Sequence, residues 1–127
     1  MKAITYDTGA LIAADRGEHR MWSRHRALLA RQEVPTVPAP VLAQGWRGGA
    51  RQARLAKFLV GCRVEPLDNT QARAVGGIAA LAETTDIVDT TVVEGALRRG
   101  DLVVSSDPDD LRSIAAAVNR RLAVDRP

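Results

Sequence analysis

With 127 residues, 46% of them hydrophobic and 26% charged, and a formal charge of +3, the chain has the size and composition of one globular domain spanning residues 1–127. The single Cys62 excludes an internal disulfide, and no stretch approaches the roughly 20 apolar residues of a membrane helix. The apolar run within Met1–Asp7 is too short for the core of a signal peptide, so a cytoplasmic protein kept in a reducing compartment is expected.

Charge is unevenly distributed. All but Lys2 and Lys57 of the 18 basic residues are arginines, whose forked guanidinium suits phosphate and carboxylate oxygens. From Arg16 to Lys57 nine basic residues face only Glu18 and Glu33, whereas from Asp68 to Asp110 three arginines face nine acids. One half is basic and the other acidic, as a protein handling a polyanion would arrange them, although solvated helix faces give the same counts.

In chain order, residues 2–6 read as a short strand, and Asp7-Thr8 opens a helix through Gly9-Ala10-Leu11-Ile12-Ala13-Ala14. Residues 19–32 form an amphipathic, arginine-rich helix ending before Pro35, followed by a strand at 34–37. Pro38-Ala39-Pro40 introduces a short helix through Trp46, which Gly45 and Gly48-Gly49 end, and another helix covers about 50–60. A strand at 63–67 leads to Asp68-Asn69-Thr70-Gln71, a capping-box sequence in which Asp68 accepts from the third amide and Gln71 reaches back. That helix runs to about Ala82, and Gly76-Gly77 inside it has none of the flanking residues of a phosphate loop.

A further helix at 87–98 opens after Asp86. Leu102-Val103-Val104 is the clearest strand, and it runs into Asp107 as N-cap, Pro108 as first residue and Asp110 as third residue of the next helix. A last strand is expected at 121–124. Helices alternating with short apolar strands define an α/β fold: a three-layer α/β/α arrangement on a mainly parallel central sheet.

In such a sheet the carboxyl ends of the strands share one edge, which brings distant residues together. Asp7 and Asp107 occupy strand-to-helix junctions, Asp86 and Asp89 share the first turn of one helix, and Asp110 lies one turn from Asp107. Each taken singly is explained by helix capping, worth about 0.3–1 kcal/mol from the helix dipole. Together they repel unless a cation is present, and carboxylates without nearby Cys or paired His suit Mg²⁺, or Mn²⁺ in its place. His19 and His25 lack metal spacing and are expected at the surface. Cys62 is expected to serve as a small buried hydrophobe, and Trp22 and Trp46 to lie in the core or an interface.

Four segments carry a family resemblance: Tyr6-Asp7-Thr8-Gly9-Ala10-Leu11-Ile12-Ala13, Val41-Leu42-Ala43-Gln44-Gly45-Trp46-Arg47-Gly48-Gly49, Asp86-Ile87-Val88-Asp89-Thr90-Thr91-Val92-Val93 and Val103-Val104-Ser105-Ser106-Asp107-Pro108-Asp109-Asp110-Leu111. In order and spacing, over nearly the whole chain, they resemble the PIN-domain endoribonucleases, specifically VapC-like toxins of bacterial toxin–antitoxin pairs. The resemblance implies a PIN-like fold and hydrolysis of RNA phosphodiesters by metal-activated water. It implies Asp7, Asp89 and Asp107 as metal ligands, with Asp86 among the catalytic acids and Asp110 accessory. Ser105 takes the place of the hydroxyl residue that orients the last acid. Where the family carries a glutamate on the short helix after the second strand, this chain has Gln44, which brings no charge; a catalytically weakened protein that acts by binding RNA or an antitoxin is the alternative.

Arg47, Arg51 and Arg54 recur at near-helical spacing, which Gly48-Gly49 interrupts, and are candidates for substrate phosphates. With 3% aromatic residues the chain lacks a base-stacking platform, so a structured RNA such as tRNA or rRNA is the expected substrate. The resemblance also implies a cognate antitoxin and a homodimer. Two other acid-rich α/β designs are disfavoured. A phospho-receiver needs a late lysine, and none follows Lys57; a haloacid-dehalogenase-like phosphatase needs an acid two residues after Asp7, where Gly9 stands.

Overall fold

The computed structural model describes residues 2–127. Ile4–Tyr6 (β1) is buried along its whole length, as a central parallel strand with both faces covered must be. Asp7 then turns the chain into α1 (Thr8–Asp15), which is followed by α2 (His19–Ala30) and β2 (Thr36–Pro38). The second strand thus begins two residues later than expected and uses Pro38, whose φ of −61° also starts α3 (Ala39–Gly45). Gly48 and Gly49, at φ +80° and +83°, reverse the chain before a 3₁₀ turn (Ala50–Gln52) and α4 (Ala53–Val60). The expected helix at 50–60 is therefore tighter in its first turn.

The remaining elements are β3 (Arg63–Glu65), α5 (Asn69–Ala82), α6 (Ile87–Arg99), β4 (Leu102–Val104), α7 (Pro108–Ala117) and β5 (Val124–Asp125). The last strand begins only at the final residue of its expected window and runs past it, because its pairing with β4 sets Val103 opposite Val124 and Val104 opposite Asp125. Asp68 caps α5 as expected, accepting from the Gln71 amide at 2.8 Å. The Gln71 side chain does not reach back: it is buried and donates to Glu94 at 2.8 Å and Glu65 at 3.2 Å.

All four strand pairings are parallel, in the order β3-β2-β1-β4-β5. Right-handed crossovers moving from β1 to β3 put α1–α4 on one face, and the return across the sheet to β4 and β5 puts α5–α7 on the other. α1 packs on α2, α3 and α4, and α5, α6 and α7 pack on each other, while α3 also meets α6. This is the three-layer α/β/α arrangement expected of a PIN-like fold. The direction of strand addition reverses between β1 and β4, which makes the crevice beyond their carboxyl ends the natural place for a site.

The core on the α1 side centres on an aromatic cluster. His25 stacks on Phe58 at a centroid distance of 3.9 Å, Tyr6 lies 5.2 Å from Phe58, and Trp22 meets Phe58 edge-on. His25 is 2% exposed, contrary to the expected surface position. It shares the inward stripe of α2 with Met21 and Leu28, and both ring nitrogens are bonded: one to the Tyr6 hydroxyl at 2.9 Å, the other to the Phe58 carbonyl at 3.1 Å. Cys62, expected as a small buried hydrophobe, is half-buried against this core, and burial pushes its thiol up to about 12. Trp22 is half-buried with its indole N–H on the Ala14 carbonyl, whereas Trp46 is 40% exposed beyond the end of α3.

On the opposite face, ion pairs tie helices to strands. Arg99 donates to Glu65 and Asp101, each at 2.8 Å, and to the Thr5 hydroxyl at 2.9 Å; Thr5 in turn donates to Asp101 at 2.7 Å. Arg98 bridges Glu94 and Glu65. A cavity of about 440 Å³ beside this network is lined by Glu65, Gln71, Glu94 and Arg98 and includes none of Asp7, Asp86, Asp89, Asp107 or Asp110. No helix among the described residues is long and apolar enough to cross a membrane.

Candidate metal and phosphodiester site

Asp7 sits where β1 ends and α1 begins. Its extended backbone (φ −88°, ψ 175°) makes it the N-cap of α1, and one carboxylate oxygen accepts from the Thr8 amide at 2.7 Å. The other accepts from the Ser105 hydroxyl at 2.6 Å. The β1–β4 pairing that sets Tyr6 opposite Val104 leaves the next residues, Asp7 and Ser105, side by side at the sheet edge. Ser105 also accepts from the Asp107 amide at 3.0 Å. The expected orienting role therefore falls on the first acid's carboxylate, and the last acid is held only through its backbone.

Asp107 occupies the N-cap position of α7 without a side-chain capping bond. Capping thus does not engage its carboxylate, which is exposed at the edge of the crevice with Asp110 one turn further on. Asp86 does cap α6, accepting from the Asp89 amide at 3.0 Å, so within that pair the capping explanation applies to Asp86 and leaves Asp89 unexplained.

Electrostatics places these acids in one field. Burial is the main cause raising Asp89 to about 7, followed by the charges of Asp86, Asp7, Asp110 and Asp107. Asp7 is raised too, first by burial and then by Asp107 and Asp86, against the lowering effect of its bonds from Ser105 and Thr8. Every salt bridge among the described residues involves Glu33, Glu65, Glu94, Asp101 or Asp125; none involves the five converging aspartates. Carboxylates that raise one another and have no protein cation fit a hard divalent ion. Among the described residues no three acid, His or Cys side chains stand close enough together to hold a metal ion as they are placed here.

Gln44 is at this edge. Its carbonyl accepts the Thr8 hydroxyl at 2.5 Å, bringing α3 against the start of α1 one residue from Asp7. The amide oxygen that could serve a metal is thus engaged by Thr8.

The three candidate arginines do not form one stripe. Arg47 folds back onto the carbonyls of Ala43 and Trp46, and Gly48-Gly49 separates it from Arg51 in the 3₁₀ turn and Arg54 in α4. Arg54 lies over Gly17, where an added Cβ would stand 2.6 Å from its Nη1. Arg126, which no sequence signal singled out, donates to the Ser106 carbonyl at 3.0 Å and reaches the loop carrying Asp107.

No protein-family model matches the sequence, and no curated protein matches it. Solved structures do share the fold. VapBC2 from Rickettsia felis, bound to a DNA fragment from their promoter, superposes with a TM-score of 0.76 at 13% identity, over 98% of this chain and 98% of that one. FitAB bound to an IR36 DNA fragment gives 0.67 at 16% identity, over 98% and 94% of the two chains. At these identities the likeness establishes the architecture, and it extends over essentially the whole of each chain.

Proposed function

We propose that this protein is a divalent-metal-dependent endoribonuclease and the toxin partner of an antitoxin. The observation that carries this reading is the mutual electrostatic influence of Asp7, Asp86, Asp89, Asp107 and Asp110 beyond the β1–β4 pair, with none of them in a salt bridge among the described residues. Likeness of fold to chains in two toxin–antitoxin complexes supports the biological setting.

Asp7, Asp89 and Asp107 would hold Mg²⁺ or Mn²⁺, with Asp86 and Asp110 adding negative potential. When bound, the ion supplies Lewis acidity and an activated water for in-line attack on phosphorus. The chain's own part is positional. Ser105 and the Thr8 amide fix the Asp7 carboxylate, Ser105 also fixes the backbone at Asp107, and Thr8 anchors Gln44 beside them. An antitoxin segment covering the acids, with a basic side chain among them, would block both ion and substrate.

The test is incubation of pure protein with cellular RNA in Mg²⁺, in Mn²⁺ and with chelator, mapping the ends produced. Metal-dependent cleavage lost in Asp7→Asn and in Asp89→Asn, with the fold retained, is the expected result; equal cleavage by both variants contradicts it. The engagement of Gln44 by Thr8, where a carboxylate is expected, favours a second reading: a weakened nuclease that acts by binding. RNA or antitoxin binding without cleavage in any metal would select it.

A further inference from the structure

A groove of about 410 Å³ runs along α1, with Gly9, Ile12, Ala13, Arg16, Ser106 and Arg126 among its lining residues. Gly9, Ile12, Ala13 and Arg16 recur at helical spacing, so one stripe forms the floor, about 10 Å long at 1.5 Å per residue. Its inner end starts two residues after Asp7 and faces Ser106, the residue before Asp107. Arg126 also lines the adjoining hollow formed by Asp107, Asp109 and Asp110, so the groove and the acidic edge are continuous.

Arg126 is built into this position. The Ser105 amide donates to the Asp125 carbonyl at 2.9 Å, and Arg24 donates to the Arg126 carbonyl at 3.5 Å while pairing with Asp125. The Arg126 guanidinium spends one of its five donors on Ser106. Among the described residues neither Arg126 nor Arg16 forms a salt bridge, although Glu18 also lines the groove. Ile12, 43% exposed, is the large apolar side chain of the groove.

We propose that this groove seats the RNA strand flanking the bond to be cut, with Arg126 and Arg16 each contacting a backbone phosphate and Ile12 lying against the sugar or base between them. The inference rests on the nuclease reading and adds to it the path of the substrate. A phosphodiester strand satisfies both ends of the groove, because it offers phosphates to the arginines and, one step along, a phosphate to the cation-binding acids. An acidic peptide would satisfy the arginines alone.

The experiment measures anisotropy of a fluorescent single-stranded RNA oligonucleotide against Asp7→Asn protein in Mg²⁺ over a range of NaCl concentrations, alongside KM and kcat for the otherwise wild-type chain. Arg126→Gln and Arg16→Gln, each added separately, are expected to weaken binding several-fold, to raise KM more than they lower kcat, and each to reduce the slope of log affinity against log salt by about 0.7. Arg73→Gln, on α5 across the sheet, controls for loss of charge and is expected to leave all three unchanged. Should Arg126→Gln unfold through loss of its Ser106 bond, Arg16→Gln carries the same readout. RNA binding whose strength and salt slope ignore both groove arginines overturns the groove and leaves the nuclease reading standing. A protein that neither binds nor cleaves RNA removes both. Weakened binding of a polyglutamate peptide with unaltered RNA binding would assign the groove to an acidic protein partner and overturn the proposal.

Discussion

The Ser105 hydroxyl donates to the Asp7 carboxylate at 2.6 Å, joining residues 98 apart in sequence across the β1–β4 pair. The same oxygen accepts the Asp107 amide, so one side chain sets the spacing between the first and last acids of the site. Ser105→Ala leaves a buried Asp7 oxygen unpaired, a cost of about 1–3 kcal/mol. We expect a matching loss of stability in urea unfolding and a metal affinity reduced along with it.

Gly9 enforces the approach of α1 to the loop that carries Asp107. A Cβ there would lie 2.8 Å from the Ser106 backbone nitrogen, a contact that a side-chain rotation cannot relieve. Gly9→Ala is expected to cost about 1–3 kcal/mol by overpacking and to displace Asp107. Denaturant unfolding reads the first effect, and the loss of metal-dependent cleavage reads the second.

The acids and His25 give pH dependences of opposite sign. Asp89, raised to about 7, binds its proton more tightly when folded, so its contribution in metal-free protein is fully present below its ordinary value of 3.8 and is lost as pH climbs through 7. His25 is lowered, chiefly by burial and also by Arg26, so the unfolded chain binds its proton more readily and stability is lost as pH falls below 6.5. In chelator, Asp89→Asn is expected to raise Tm at pH 7 and His25→Gln to flatten the acid limb. Thermal melts from pH 4 to 8 on the two variants separate the contributions.

Arg99 is the hub of the polar network on the other face. Arg99→Met leaves Asp101, 3% exposed, without its guanidinium partner, while Glu65 keeps Arg98, and should cost about 3–5 kcal/mol in urea unfolding. Metal affinity at the aspartates is expected to be retained wherever the variant remains folded.

Much of this fold is legible because the chain marks its own junctions. Asp7-Thr8, Asp68, Asp86 and Asp107-Pro108 each announce a helix start, and each stands at one. The parallel sheet follows from their alternation with short apolar strands, and the placing of Asp7 and Asp107 on one sheet edge follows from the parallel sheet. What was not legible depends on pairings between distant segments. His25 reads as a surface residue among arginines until Tyr6 and Phe58 are seen to bracket it. Arg126 acquires its position only through β5 pairing with β4, and Thr5, Glu65, Arg99 and Asp101 form a network that no local pattern announces. The interruption of the arginine spacing by Gly48-Gly49, by contrast, was legible locally, and both glycines do adopt positive φ.

Calorimetric titration of Mn²⁺ into the metal-free protein tests the shared-cation claim most directly. Binding by the wild type that weakens at least about tenfold, or 1.4 kcal/mol, in Asp7→Asn and in Asp89→Asn alike is the expected result. Undiminished Mn²⁺ binding in either variant, or none in the folded wild type, would contradict it.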